Sequence, residues 1–287
     1  MSAYREQTLQ FDCEGESLLG VLALPGQDAP LSPTAVLIVV GGPQYRAGSH
    51  RQFVLLARAL AAGGHAVLRF DCRGMGDGSG ALRDFLSFGP DIEAAIQALL
   101  AAQPGLRDVV LCGLCDGASA ALLYLQASPD PRVRGLCLLN PWVRSAATLA
   151  ATHVKHYYWR RLSEPAFWRK LLSGRVGAQA LSGLWRNLRL AGQAGRPASS
   201  QSYQSRMAAG LRQFPGPVLL LISGDDYTAK EFIDLSASAA DWQGLLQAPQ
   251  LRRVDFAEAD HTFSESRHWA AACAQTLEWL RSDVQSP

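Results

Sequence analysis

The 287-residue sequence has little net charge: 27 lysines and arginines stand against 25 aspartates and glutamates. A balance of +2 excludes a nucleic-acid binder that works through overall basicity, and equally a disordered or acid-tailed chain. Long apolar runs are missing too. The longest, Ala35 to Val40, falls far short of the ~20 residues that cross a bilayer. Residues 1–10 are polar and lack the basic start and apolar stretch of a secretory leader, so a soluble, cytoplasmic protein is expected. Six cysteines (Cys13, Cys72, Cys112, Cys115, Cys137 and Cys273) are too few to staple a chain of this size, and four lie in or at the ends of apolar runs, as reduced buried thiols do. No repeat of fixed period is visible. His153 and His156 have an i, i+3 spacing, but no acid or cysteine cluster accompanies them, so no metal or other cofactor is expected.

What is present is core. At 48% hydrophobic and 18% charged, a chain of this length can bury roughly 75% of its unfolded surface, enough for one main domain carrying an insertion. Two β-like stretches, Glu6 to Phe11 and Ser17 to Leu24, flank Glu14-Gly15 and predict a hairpin. The rhythm then changes. Apolar, β-branched strands are predicted at Thr34 to Val40, His65 to Phe70, Asp108 to Cys112, Val133 to Leu139, Val218 to Ser223 and Leu251 to Phe256. Between and after them come helical patterns at Phe53 to Leu60, Asp91 to Ala102, Ala118 to Gln126, Ala229 to Ala240 and Trp269 to Leu280. Such alternation predicts an α/β fold with a mostly parallel sheet covered on both faces, and ligands bound beyond the carboxyl ends of its strands.

The alternation is interrupted at residues 141–213, which read as an inserted helical cap on a core of 1–140 and 214–287. Within the interruption lie four of the seven tryptophans and twelve basic residues against a single acid, Glu164, leaving fifteen basic and twenty-four acidic residues in the rest. A basic cap on an acidic body suggests contact with an anionic substrate, carrier or membrane surface, with Arg160, Arg161 and Trp142 as candidate contacts. A plain solvated insertion is the competing reading.

Three loops carry candidate chemistry. The strand ending at Cys112 runs into Gly113-Leu114-Cys115-Asp116-Gly117 and then a helix, and small residues around a central nucleophile suit a sharp strand-to-helix turn. A cysteine there lies at a helix N-terminus, where the dipole favours thiolate. Gly224-Asp225-Asp226-Tyr227 follows one later strand, and Ala259-Asp260-His261-Thr262 the next. Nucleophile, acid and base in that order, each just past a strand, form the arrangement nucleophilic catalysis needs. Asp226 is the preferred acid and Asp225 the reserve. Gly41-Gly42-Pro43-Gln44 follows the first parallel strand and supplies an oxyanion donor from Gln44 or Gly42, since Pro43 has no N–H; Asp116 N–H is the second.

These residues resemble the α/β-hydrolase superfamily over nearly the full length. Phe70-Asp71-Cys72-Arg73-Gly74-Met75-Gly76-Asp77-Gly78-Ser79 resembles its Asp-x-Arg-Gly-x-Gly-x-Ser block. Gly41-Gly42-Pro43-Gln44-Tyr45-Arg46, Gly48 to Phe53, Leu139-Asn140-Pro141-Trp142 and Thr228 to Phe232 resemble, more narrowly, the exosortase A system-associated hydrolases of type 1. The resemblance implies a hydrolase linked to bacterial exopolysaccharide and protein-sorting loci, with Tyr45 beside the substrate. Cysteine in place of the usual serine is shared with dienelactone hydrolases and implies attack on thioesters, activated esters or lactones, with hydrolysis or acyl transfer to follow. The expected partner is a small-molecule or carrier-linked acyl compound, not nucleic acid. Two readings compete: a redox Cys112-x-x-Cys115 pair, and a silent hydrolase-like protein that binds a lipid-linked or acyl-carrier partner.

Overall fold

A computed structural model of the chain describes residues 3–144 and 202–284, and these build one eight-stranded sheet with helices on both faces. Strands β1 (Tyr4–Cys13) and β2 (Glu16–Pro25) form the opening hairpin, and both turn residues, Glu14 and Gly15, adopt positive φ, as a tight turn matched to strand twist requires. Then follow β3 (Thr34–Val39), α1 (Gln52–Ala62), β4 (Val67–Phe70), α2 (Gly89–Ala102), β5 (Asp108–Leu114), α3 (Asp116–Ala127) and β6 (Val133–Leu139). After residues 145–201 come α4 (Tyr203–Gln213), β7 (Val218–Ser223), α5 (Tyr227–Ser238), β8 (Leu251–Phe256) and α6 (Ser266–Trp279). Along the sheet the order is β1-β2-β4-β3-β5-β6-β7-β8. The hairpin joins β4 antiparallel, and β3 to β8 are mutually parallel.

The central strands are apolar at most positions because both faces are covered, and the period-two alternation sorts their side chains between two cores. Leu37 and Val39 of β3 pack with residues of α2, α3, α4 and α5, whereas Val36 and Ile38 pack with those of α1 and α6. Strands β1 and β2 run further at both ends than the sequence suggests and β3 stops at Val39, one residue early; two further strand ends differ for identifiable reasons. His65 precedes β4 instead of starting it, since its N–H bonds to Leu60 O and its Nδ1 lies 3.1 Å from Thr34 O, closing the turn from α1. At the other end, β5 continues to Leu114 because Gly113 and Leu114 keep pairing with Leu138 and Leu139.

Arg160, Arg161 and most of the proposed cap lie outside the described residues. The described ends of that segment are joined side by side: Tyr203 Oη donates to Arg144 O at 2.8 Å, and Gln204 Nε2 to Val143 O at 3.2 Å. Helix α4, read from sequence as part of the insertion, packs on α3 so closely that a Cβ on Gly210 would stand 2.2 Å from Leu122 O. The carboxyl ends of β3, β5, β6, β7 and β8 thus share one edge of the sheet, where every loop singled out above is found.

Candidate active site

Cys115 occupies the turn between β5 and α3 with φ 59 and ψ −126, a conformation that a residue with a Cβ rarely adopts. Its surroundings impose that turn. Cys115 N–H bonds to Leu139 O at 2.9 Å, while Cys115 O receives the N–H groups of Ala118, Ser119 and Trp142. Helix α3 approaches the sheet through glycine: a Cβ on Gly113 would lie 2.5 Å from the Gly117 carbonyl carbon, and one on Gly117 2.3 Å from Val39 O. The small residues seen in sequence are therefore required by backbone-to-backbone contact.

Among the two candidate acids the geometry selects one. His261 Nδ1 lies 2.7 Å from Asp226 Oδ2, whereas Asp225 is exposed and held through its N–H to Ala259 O. Asp226 also caps α5, its two oxygens accepting from the N–H groups of Thr228 and Ala229 at 3.0 Å each. Three donors, the two N–H groups and His261 Nδ1, fix this buried carboxylate in place against the imidazole.

One residue of this arrangement carried no role in the sequence reading. Asn140, at the end of β6, is fully buried with φ 44. Its Nδ2 donates to Ser223 Oγ at 2.9 Å and to His261 O at 3.0 Å, and its Oδ1 accepts from Ser223 N–H at 2.9 Å. Ser223 Oγ in turn donates to Asp260 O at 2.8 Å. The ends of β6 and β7 are thereby tied to the loop bearing His261. An Asn, a residue that tolerates the left-handed region, set between an apolar strand and a proline is the signal that could have marked it.

The loop after β3 brings Gly41 and Gly42 against Asp116. Gln44 was the favoured first oxyanion donor from sequence, but its N–H bonds to Gly42 O at 2.8 Å and its side-chain amide to Gly41 O. Gly42 instead lies close to the Asp116 carboxylate, whose charged form its N–H favours, and so stands as the candidate donor on this loop. Next along the loop, Tyr45 is half exposed, its Oη donating to Asp77 at 2.9 Å and its ring covered by the Arg46 guanidinium at 4.2 Å. Arg46 is buried and ion-paired with Asp71 and Asp77, which ties this loop to the Asp71–Gly76 block. Trp142 lies beside the nucleophile turn through its N–H to Cys115 O, and the Arg144 guanidinium covers its ring at 4.6 Å.

The thiol itself is kept protonated. Burial, reinforced by the neighbouring Asp116 charge, pushes the Cys115 thiol up to about 12, against the helix-terminus effect expected from sequence. Burial also raises the Asp116 carboxyl. Cys112 does not pair with Cys115: it is a free thiol fully buried within β5, opposite Cys137 of the adjacent strand. The redox reading of the Cys-x-x-Cys spacing thus lacks its geometry. Among the described residues, no His, Cys, Asp and Glu group is arranged to hold a metal ion, and no helix is long and apolar enough to cross a membrane.

Solved structures with this arrangement of strands are numerous. The chain is similar to an esterase from Pyrococcus furiosus, with a TM-score of 0.65 at 16% identity over 98% of this chain and 94% of that one. It is similar also to Est1E from Butyrivibrio proteoclasticus with ferulic acid bound, at TM-score 0.62, 14% identity and coverage of 97% and 100%. A dienelactone hydrolase from Anabaena variabilis gives 0.61, 15%, 99% and 100%. At these identities the likeness shows the fold. No match was found among curated protein sequences. The profile of one family does match, over residues 36–276, a span running from β3 into α6 and taking in every loop of the site. With that span, the elbow at Cys115 and the sheet order, the chain belongs to the alpha/beta hydrolase family.

Proposed function

We propose that this hydrolase cleaves an ester or thioester through Cys115, His261 and Asp226, by way of a covalent acyl-enzyme. The observation that carries the reading is the 2.7 Å contact between His261 Nδ1 and Asp226 Oδ2, on loops that share a sheet edge with the strained Cys115 turn. With Nδ1 held by Asp226, His261 Nε2 takes the thiol proton as Cys115 Sγ bonds to the acyl carbonyl carbon. The oxygen that gains charge is stabilised by the N–H groups of Gly42 and Asp116. Collapse breaks the bond to the leaving group, which departs with the proton from His261; water, deprotonated by His261, then releases the acid. A base is needed because a thiol raised to about 12 supplies almost no thiolate at neutral pH.

Thioesters, activated esters and lactones are the substrates suited to a sulfur nucleophile, and an acceptor other than water would make the protein an acyltransferase. The resemblance to exosortase A system-associated hydrolases supports a substrate made or trimmed at bacterial exopolysaccharide loci. Tyr45, Trp142 and the basic segment, with Arg160 and Arg161, are proposed to contact it. The experiment is turnover of short aryl esters and acyl thioesters by wild type, Cys115→Ala and His261→Ala, with the acyl adduct sought by mass spectrometry. Loss of both turnover and adduct in the variants is expected. Activity that survives Cys115→Ala sinks the mechanism, and inertness of the wild type favours a silent hydrolase-like protein that binds an anionic lipid-linked or acyl-carrier partner.

A further inference from the structure

The oxyanion pocket is occupied by the protein itself. Asp116, the residue after the nucleophile, turns its carboxylate back over the β3 loop, so that Oδ1 lies over Gly41 and Gly42 and the N–H groups of Gly42 and of Asp116 itself favour its charged form. Those are the two donors that the reaction assigns to the substrate oxygen. The approach is close: a Cβ on Gly41 would lie 2.2 Å from Asp116 Oδ1, and one on Gly42 would be in ordinary contact with the same oxygen at 3.9 Å. The charge of the same carboxylate opposes ionisation of the neighbouring Cys115 thiol.

A helix N-terminus accounts for an acid at this position, since the dipole favours an anion in the first turn. It does not account for the direction in which the acid points. An Asp116 side chain turned into solvent would gain the dipole energy and leave Gly42 N–H for a ligand. Turned inward, a carboxylate with two N–H donors beside a nucleophile reproduces what an ester hydrolase holds just before it releases a carboxylic acid. Resting on the proposed role of Cys115, we propose that Asp116 is a specificity-determining residue whose carboxylate fills the oxyanion pocket as a tethered competitor, so that an acyl carbonyl enters only by displacing it.

Two consequences follow from elementary electrostatics. The carboxylate beside the sulfur disfavours thiolate, so the free enzyme is poorly reactive towards adventitious electrophiles until a substrate is seated. Once displaced, the carboxylate remains tethered near the acyl carbon, where it repels acyl groups that carry their own negative charge close to the carbonyl. Anionic groups on the substrate are then confined to the leaving-group side.

The test is alkylation of Cys115 by iodoacetamide, followed by peptide mass spectrometry, in wild type, Asp116→Asn and Asp116→Ala. The other five cysteines are buried, and Cys115 is the partly accessible one. Removing a charge next to the thiol lowers its pKa by about one unit, so both variants are expected to react about tenfold faster than wild type at pH 8. Acetate at constant ionic strength is expected to slow alkylation of Asp116→Ala by re-entering the emptied pocket, while wild type is unaffected. Equal or slower alkylation of both variants overturns the proposal, as does indifference of Asp116→Ala to acetate. Asp116→Asn is isosteric and keeps the backbone donors, so it reports even where Asp116→Ala loses stability. A His261→Ala arm separates the two readings: if its alkylation and turnover match wild type, the catalytic role of His261 fails while the Asp116 comparison still stands or falls by itself.

Discussion

Asn140 Nδ2 donates to the main-chain carbonyl of His261 at 3.0 Å, from a position where Asn140 itself is fully buried with φ 44. The bond holds the histidine by its backbone, leaving the ring free to meet Asp226. Asn140→Asp removes both donors of the amide while leaving an acceptor for Ser223 N–H. It is expected to lower kcat at least tenfold with KM little changed. The orphaned His261 and Ser223 groups add about 1–3 kcal/mol of destabilisation. Asn140→Gly relieves the positive φ but makes no side-chain bond, so it should share the kcat defect. Steady-state kinetics beside urea unfolding separates a displaced histidine from a merely weakened fold; an unchanged kcat in both variants rules out a positioning role.

Asp226 has two duties, as cap of α5 and as partner of His261. In Asp226→Asn, one oxygen and one NH2 group must face three donors, and the oxygen that serves Nδ1 is lost or reversed. Turnover is expected to fall by about 10³–10⁴, as when a triad carboxylate loses its control of the histidine tautomer. Stability should fall by only about 1 kcal/mol, the usual size of an N-cap loss. Asp225→Asn, one residue away but exposed, should leave kcat within twofold of wild type. A reversed ranking of the two variants would move the catalytic acid to Asp225.

How far the sequence foretold this site depended on what kind of interaction fixes each part. Strands β6 and β7 are legible to the residue because largely apolar runs leave no other home for Val133–Leu139 or Val218–Ser223. The elbow at Cys115 was legible since glycine spacing is itself a record of backbone contact, which Val39 O and Gly117 now make explicit. Polar side-chain direction leaves no such record. Whether Asp225 or Asp226 meets His261 depends on one residue of loop register. That Asp116 turns inward depends on a rotamer, and that Gln44 spends its N–H on Gly42 O depends on a local turn. Asn140 stood in a recognised block without a role, because its partners Ser223 and His261 lie 83 and 121 residues away in sequence.

Acid should loosen the outer side of the α2–α3 layer first. Arg132 bonds both Glu93 of α2 and Asp130, at 2.7 Å each through Nη2, and Tyr124 Oη of α3, with one proton to donate, lies 2.6 Å from an oxygen of each acid. The Arg132 hydrogen bond holds the Glu93 carboxyl below its usual 4.5. At Asp130, burial acts upward, but bonds from Arg132 and Tyr124 outweigh it and the carboxyl sits below 3.8. Depressed carboxyls contribute stability at neutral pH and lose it as pH falls through their folded-state values. Arg132→Ala should therefore lower Tm at pH 7, with the gap to wild type narrowing below about pH 4 as the acids take up protons in both proteins. A gap that stays constant down to pH 3 would show that Arg132 acts through packing alone.

The nucleophile turn should tolerate no extra methyl on its helix side. At Gly117 a Cβ would stand 2.3 Å from Val39 O and 3.0 Å from Gly41 N, contacts with backbone that cannot rotate away. Gly117→Ala must push α3 off the end of β3, at a cost of about 1–3 kcal/mol for overpacking. Because Cys115 and the Asp116 N–H belong to the same turn, the displacement also carries the sulfur and an oxyanion donor away from Gly42. Turnover should fall more than stability alone explains, and should stay low at temperatures where the variant is fully folded. Gly89, at the start of α2, offers the contrast: a Cβ there meets nothing within 4 Å, and Gly89→Ala should change stability by no more than about 0.5 kcal/mol with activity intact. If Gly117→Ala behaves like Gly89→Ala in urea unfolding and in turnover, the close approach of α3 to β3 does not set the geometry of the site.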